Sequence, residues 1–344
     1  MRINGPFLTK TVAAALLVAA FCLAGCGRAA RPYQETQFAL DTIIEITAYG
    51  DHAKQGVEAA FAEMRRLEAL LSNYIKESEV SRINRQAGGE PVAVSDDTLR
   101  VVAQAVAFAR ATGGAFDPTI GPVTELWGIG KKGDYVPPEQ EIAAALRLVD
   151  YRQVEIDAAH KTIRLAKKGM ALDLGGVAKG YILGRMAEVL RQHDVKSALI
   201  NGGGDIRVIG RKPDGTPWRI GIQHPRQADA IAAKITLDKW NVVTTSGDYQ
   251  RYFDKNGVRY HHIFDPKTGR PTHTLPSVTL LANEAAGAPD AAADIPSNEI
   301  MVMGKEKGLA FLKQHYPKVE AVLIDYDGSV TYTPGLAGSI ETGR

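Results

Sequence analysis

Ala198-Leu199-Ile200-Asn201-Gly202-Gly203-Gly204-Asp205-Ile206-Arg207-Val208-Ile209 joins two strand-like pieces, Ala198–Ile200 and Ile206–Ile209, through three consecutive glycines. Glycines in a row permit positive φ or the close approach of a ligand, more freedom than a plain hairpin turn requires. Strand follows strand here, and the chain as a whole lacks a regular β-α-β alternation. That pattern reads as one α+β domain rather than a doubly wound sheet. The expectation is a mixed, mainly antiparallel sheet with flanking helices, arranged in one lobe or two.

Downstream, apolar runs at Arg219–Ile222, Val242–Thr245, Val278–Leu281, Ala321–Ile324 and Val330–Tyr332 read as further strands, separated by glycine, proline and Asn/Asp turns. Stretches 291–303 and 308–315 read as helices. Upstream, Phe38 to Tyr49 reads as one strand. Val57, Phe61, Met64, Leu67 and Leu71 recur at helical spacing, which predicts a helix over 52–72. Ser95 is placed to cap a second helix that Gly113-Gly114 stops. A third runs from about Ala178 to His193.

The ends read differently. Arg2 and Lys10 precede an apolar run from Val12 to Leu23, followed by Leu23-Ala24-Gly25-Cys26. This reads as a secretory leader with a cysteine where bacterial lipoproteins are acylated, with an uncleaved anchor or an ordinary signal peptide as the alternatives. The run is short of the roughly 20 residues that a membrane span needs. The expectation is a signal over 1–25, a tether over 26–36 lipidated at Cys26, a folded domain over 37–336 and a tail over 337–344. The soluble body would then sit in the cell envelope, on the outer face of the cytoplasmic membrane or in the periplasm. Cys22 and Cys26 are the two cysteines of the chain, so the mature body has no thiols left for a disulfide. Formal charge is +2 and the leader carries two of the cations and no acid, which leaves the rest near neutral. A nucleic-acid partner, which needs a basic stripe, is not expected.

Several segments carry groups suited to phosphate chemistry. Gly175-Gly176-Val177-Ala178-Lys179-Gly180 precedes a helix, where backbone N–H groups and a lysine can meet an anion. It fits neither the P-loop nor the dinucleotide-binding glycine pattern. Asp173 before it can cap a turn or grip a ligand hydroxyl. Tyr74 and Ala115-Phe116-Asp117 offer aromatic faces and a carboxylate, for a planar ring or for ordinary core. His261 and His262 are adjacent in a strand-like run, so at most one faces a site; His262 can act as a general base or steady a phosphate. Asp294 and Asn298, four apart, share a face if helical and offer hard oxygen donors that suit Mg²⁺.

Taken together these segments resemble the ApbE family, the FAD:protein FMN transferases. The features that carry the resemblance are Leu40-Asp41-Thr42, Leu71-Ser72-Asn73-Tyr74 with Ser78-Glu79, Gly114 to Pro118, Asp173 to Tyr181, Asn201 to Asp205, Thr245-Ser246-Gly247-Asp248-Tyr249, His262 to Gly269, and Ala293-Asp294 through Met303-Gly304. Each is modest alone; eight in order are specific. The resemblance implies that FAD binds with Mg²⁺, that the flavin-side phosphate passes to a threonine of an acceptor flavoprotein, and that AMP leaves. Acceptors in the family are subunits of membrane redox complexes and secreted flavoproteins. Position by position it implies Leu40, Tyr74, Ala115, Phe116, Asp117, Asp173 and Lys179 at the FAD, and Gly176 and Asp294 at the metal. Asn298 stands where the family usually has threonine, and Leu40 where it usually has methionine. His262 is the expected base or proton relay. A Mg²⁺-dependent FAD pyrophosphatase and a non-catalytic flavin-binding lipoprotein are the alternatives.

Overall fold

Adjacent residues of one strand divide between two apolar clusters: Val242 and Leu323 belong to the first, Val243 and Val322 to the second. Period-two alternation sends neighbours to opposite faces, so a strand apolar at every position must be covered on both sides. The computed structural model, which describes residues 31–284 and 297–343, shows what covers them.

Its frame is an eight-stranded sheet whose spatial order repeats the chain order. The strands are β1 (Tyr33–Ala39), β2 (Thr42–Tyr49), β3 (Ser197–Gly202), β4 (Asp205–Ile209), β5 (Val242–Gly247), β6 (Ser277–Ala282), β7 (Glu320–Ile324) and β8 (Val330–Tyr332). Each neighbouring pair is antiparallel. Reversal at every step has a geometric result. The connections after β1, β3, β5 and β7 all emerge at one end of the sheet, and the intervening ones at the other. The functional residues gather at the first end.

Helices α1 (Ala53–Leu71), α2 (Asp96–Ala111), α3 (Gly175–Gln192) and α4 (Ser297–Met303) share the first cluster with the sheet. Val57, Phe61, Met64 and Leu67 from α1 are fully buried there, with Ile44, Ile46 and Met186. Each such side chain contributes roughly 1.5–3 kcal/mol on leaving water. Ser95 caps α2 by accepting the Thr98 N–H, as its position predicts. The second face is covered by a smaller sheet of Trp218–His224, Gln227–Leu237 and Ile340–Thr342, whose Trp218, Ile235 and Leu237 bury against Val243 and Leu281. A third cluster joins Val123, Trp127, Ile142 and Phe264, and the Trp127 indole N–H donates to the Gly269 carbonyl at 2.8 Å. It backs the segment that carries His262.

Three expectations need correction. Phe38 to Tyr49 is a hairpin, not one strand, because the chain reverses at Leu40-Asp41 without a glycine or asparagine to signal it. The tether expected over 26–36 is already strand from Tyr33, and the tail expected over 337–344 pairs with the second sheet through Ile340–Thr342. Helix α3 starts at Gly175 rather than Ala178, which puts Gly175 and Gly176 in its first turn. Among the described residues no helix is long and apolar enough to cross a membrane.

Candidate active site

The β1–β2 turn sets one wall. Leu40 and Asp41 sit at φ 53° and 59°, in the left-handed region. That conformation costs roughly 1–2 kcal/mol for a residue with a Cβ, and such outliers persist where the surroundings hold them. Glu68 at the end of α1 holds this one, accepting the Leu40 N–H at 2.7 Å. Asp41 accepts from the Arg251 guanidinium at 2.7 Å.

The β3–β4 turn lies against it. Gly203 and Gly204 form a two-residue hairpin connection with φ 61° and 95°, and a Cβ on Gly203 would run into the Thr42 hydroxyl. The glycine run therefore lets two turns pack together. The group this loop presents is Asp205, 2.8 Å from the Lys179 ammonium and accepting the Thr245 N–H at 3.0 Å.

Lys179 stands in the second turn of α3. The chain leading into that helix is fixed on both sides. Asn84 donates to the Leu172 carbonyl at 3.0 Å and accepts the Leu172 N–H at 2.7 Å. Asp173 donates its N–H to the Pro118 carbonyl at 2.8 Å, and its Oδ1 accepts the Gly175 N–H at 2.9 Å. Asp173 is thus a turn cap with one carboxylate oxygen to spare.

Tyr74 is held by Ser72, whose hydroxyl oxygen accepts the Tyr74 N–H at 3.1 Å. The residue is 59% exposed, and the Lys131 ammonium lies 3.4 Å from the ring centre. Desolvation raises its hydroxyl pKa; the Asp173 and Asp41 charges add to that and the Arg251 charge opposes it.

The side chains of Ala115, Phe116 and Asp117 are buried, which is the core reading of this segment. Phe116 is buried with its ring centre 5.4 Å from that of Phe108. Asp117, 5% exposed, accepts from the Thr119 N–H and hydroxyl at 2.8 and 2.6 Å and from the Tyr151 N–H at 3.0 Å. Aspartate two residues before an N–H closes an Asx turn, and that local bond turns the carboxylate inward. Ala115 is buried beside them. What this segment can offer a ligand is backbone.

The two histidines divide as the strand period requires. His261 is fully buried; its Nε2 donates to the Thr272 carbonyl at 2.6 Å and its Nδ1 accepts the Ile263 N–H at 3.3 Å. His262 is half-buried, with Nδ1 3.3 Å from the Arg251 carbonyl. A carbonyl only accepts, so the proton of the neutral ring is assigned to Nδ1 and the lone pair to Nε2. Desolvation, then the Arg251 and His261 charges, push the His262 pKa down to about 3, with Lys179 adding to the effect.

For a cation, the described residues offer hard oxygen donors. Gly176 lies in the first turn of α3, and its carbonyl has a second lone pair beyond the helix ladder. Asn298 is half-buried on α4, which is anchored by a 2.5 Å contact between the Ser297 and Ser246 hydroxyls. Beside it, Glu299 is buried with Oε2 lacking a hydrogen-bond partner among the described residues, and burial pushes its carboxyl well above the usual range. Asp294, Pro296 and Cys26 lie outside the described residues. Among the described residues no group of three or more His, Cys, Asp or Glu is placed to hold a metal. A cavity of about 540 Å³ opens elsewhere, at the opposite end of the sheet beside Arg191, Arg211 and Trp240.

The structure thus brings Leu40, Tyr74, Asp173, Lys179 and His262 to one end of the sheet and turns Phe116 and Asp117 away. It adds Arg251, Asp205, Glu68 and Asn84, which residue-by-residue reading missed. Asp205 lay inside a quoted motif, and Arg251 stands two residues past another.

The sequence profile of the ApbE family matches residues 40–323. An FAD:protein FMN transferase of Treponema pallidum is 33% identical over 94% of this chain and 94% of its own length. The solved ApbE protein of Thermotoga maritima superimposes with a TM-score of 0.80 at 34% identity, covering 89% of this chain and 98% of that one. The flavin transferase ApbE of Vibrio cholerae gives 0.76 at 30% identity, over 88% and 97%.

Proposed function

The chain belongs to the ApbE family, and from that premise we propose that it transfers the FMN moiety of FAD to a threonine hydroxyl of a partner flavoprotein. The observation that carries this reading is His262. It is a neutral ring with its lone pair on Nε2, in the same electrostatic neighbourhood as Lys179 and Arg251.

In the reaction the threonine oxygen bonds to the flavin-side phosphorus and the bond from that phosphorus to the bridging oxygen breaks. AMP leaves with the bridging oxygen. The threonine proton passes to His262 Nε2. A ring with so low a proton affinity is a weak base, but an arriving diphosphate brings negative charge beside it and raises that affinity. Lys179 supplies positive charge to the diphosphate, Asp173 a spare carboxylate oxygen for a ligand hydroxyl, and Tyr74 and Leu40 an apolar rim for the flavin. Most of the gain in phosphoryl transfer comes from such placement and charge.

Gly176, Asn298 and Asp294 would hold Mg²⁺ through oxygen atoms. Bound there, the ion would offset charge on the diphosphate. The leader sequence supports a further part of the proposal, that lipid on Cys26 holds the protein in the cell envelope. Replacing Cys26 with serine should then release it to the soluble fraction.

The test combines the protein with FAD, Mg²⁺ and a threonine-bearing flavoprotein. An acceptor whose intact mass gains FMN, with one AMP released per adduct, is the expected result. Free FMN with an unmodified acceptor would make it a pyrophosphatase instead, and unconsumed FAD would make it a binder.

A further inference from the structure

We infer that Arg251 grips the diphosphate of the dinucleotide and that Asp41 holds its place until the dinucleotide arrives. The inference rests on the transferase reading and adds to it a residue outside the set that the resemblance implies.

The two residues are 210 positions apart and meet at 2.7 Å, Arg251 Nη1 to Asp41 Oδ2. Their side chains are 48% and 50% exposed. A pair so open to water is weakly held, and a more highly charged anion displaces the carboxylate at little cost. The Lys179–Asp205 pair differs. Its side chains are 26% and 13% exposed, and Asp205 is pinned by the Thr245 N–H. Compared with Lys179–Asp205, the Arg251–Asp41 pair is the one open to exchange.

Position supports the role. The Arg251 backbone carbonyl receives the His262 N–H at 3.2 Å and lies 3.3 Å from Nδ1 of the same ring, so the arginine backbone is anchored beside the base. The Arg251 charge reaches Tyr74 as well. A guanidinium presents five donors in a planar fork that matches phosphate oxygens, and Asp41 engages it through one nitrogen. The Asp41 backbone is held at positive φ in a tight turn, which limits how far its carboxylate can follow a departing arginine. The carboxylate therefore marks a fixed spot where positive charge waits.

The experiment measures binding of FAD and of riboflavin, which has no phosphate, to the full folded body as wild type, R251A, R251K and D41N. Expected is about a tenfold or greater loss of FAD affinity in R251A, an intermediate loss in R251K, and riboflavin affinity within about twofold throughout. D41N, with the competitor removed, should bind FAD as tightly as wild type or more so. R251A retaining wild-type FAD affinity overturns the inference and leaves the transferase reading untouched. So does D41N weakening FAD as much as R251A, which would make the pair a structural clasp. Wild type that binds no FAD takes down the transferase reading itself. R251K keeps the test decisive if R251A does not fold.

Discussion

Lys179 and Asp205 meet at 2.8 Å, one in the second turn of a helix and the other at the first residue of a strand. The contact ties the amino end of α3 to the β3–β4 turn. It also fixes where the ammonium points before any anion is present.

Substituting Lys179 by methionine should lower kcat/KM for FAD by about ten- to a hundredfold, the usual worth of a charge-assisted bond to phosphate. Stability should change by no more than about 1 kcal/mol, since the pair is only partly buried. Steady-state kinetics and thermal melts of the same preparation separate the two effects.

His262→Ala should reduce turnover by roughly 10²–10⁴ while FAD still binds, because a base acts on the incoming hydroxyl. The depressed pKa of the free protein, about 3, makes a further demand. The ring stays neutral well below pH 6.5, so the acid limb of the kcat/KM profile should fall below that value. An acid limb centred on the ordinary histidine pKa would contradict it.

His261 predicts how stability depends on pH. Burial pushes its pKa down to about 4, and His262 shifts the same way. Below about pH 6.5 the unfolded chain takes up a proton that the folded one refuses. Stability is therefore complete above that value and drains away as pH falls toward 4, by about 1.4 kcal/mol per pH unit for each ring. Denaturant titrations between about pH 7 and 5 should show the slope, and His261→Asn should start less stable and slope less.

Asp117→Ala should act on the fold and not on the ligand. Removing a buried carboxylate leaves the Thr119 and Tyr151 N–H groups unpaired, at a cost of about 2–4 kcal/mol. FAD affinity of the folded fraction should stay within about twofold. Chemical denaturation alongside binding at low temperature distinguishes this from a pocket role.

Much of this architecture was legible because it follows from period. Val57 to Leu71 at helical spacing, Val330–Tyr332 as a strand and Ser95 as a cap all rest on local rules, and the structure has them. The Leu40-Asp41 reversal was hidden because leucine avoids positive φ and aspartate only tolerates it; contacts from Glu68 and Arg251 hold the turn. Gln227–Leu237 escaped because its first half alternates small alanines with polar residues and resembles a loop until a partner strand is present. Among candidate site residues, His262 and Lys179 stand out by their chemistry, and the structure places both at one end of the sheet. The inward turn of Asp117 depends on Tyr151, 34 residues away, and no local pattern predicts that bond.

Strand β1 runs from Tyr33 toward the Leu40 turn, a path of about 20 Å along its seven residues. The polypeptide therefore enters at the rear of the molecule and reaches the mouth only afterwards. Under the proposed lipid anchor on Cys26, the protein would be held from the end of the sheet opposite the Leu40 turn, and an acceptor hydroxyl would approach from the far side.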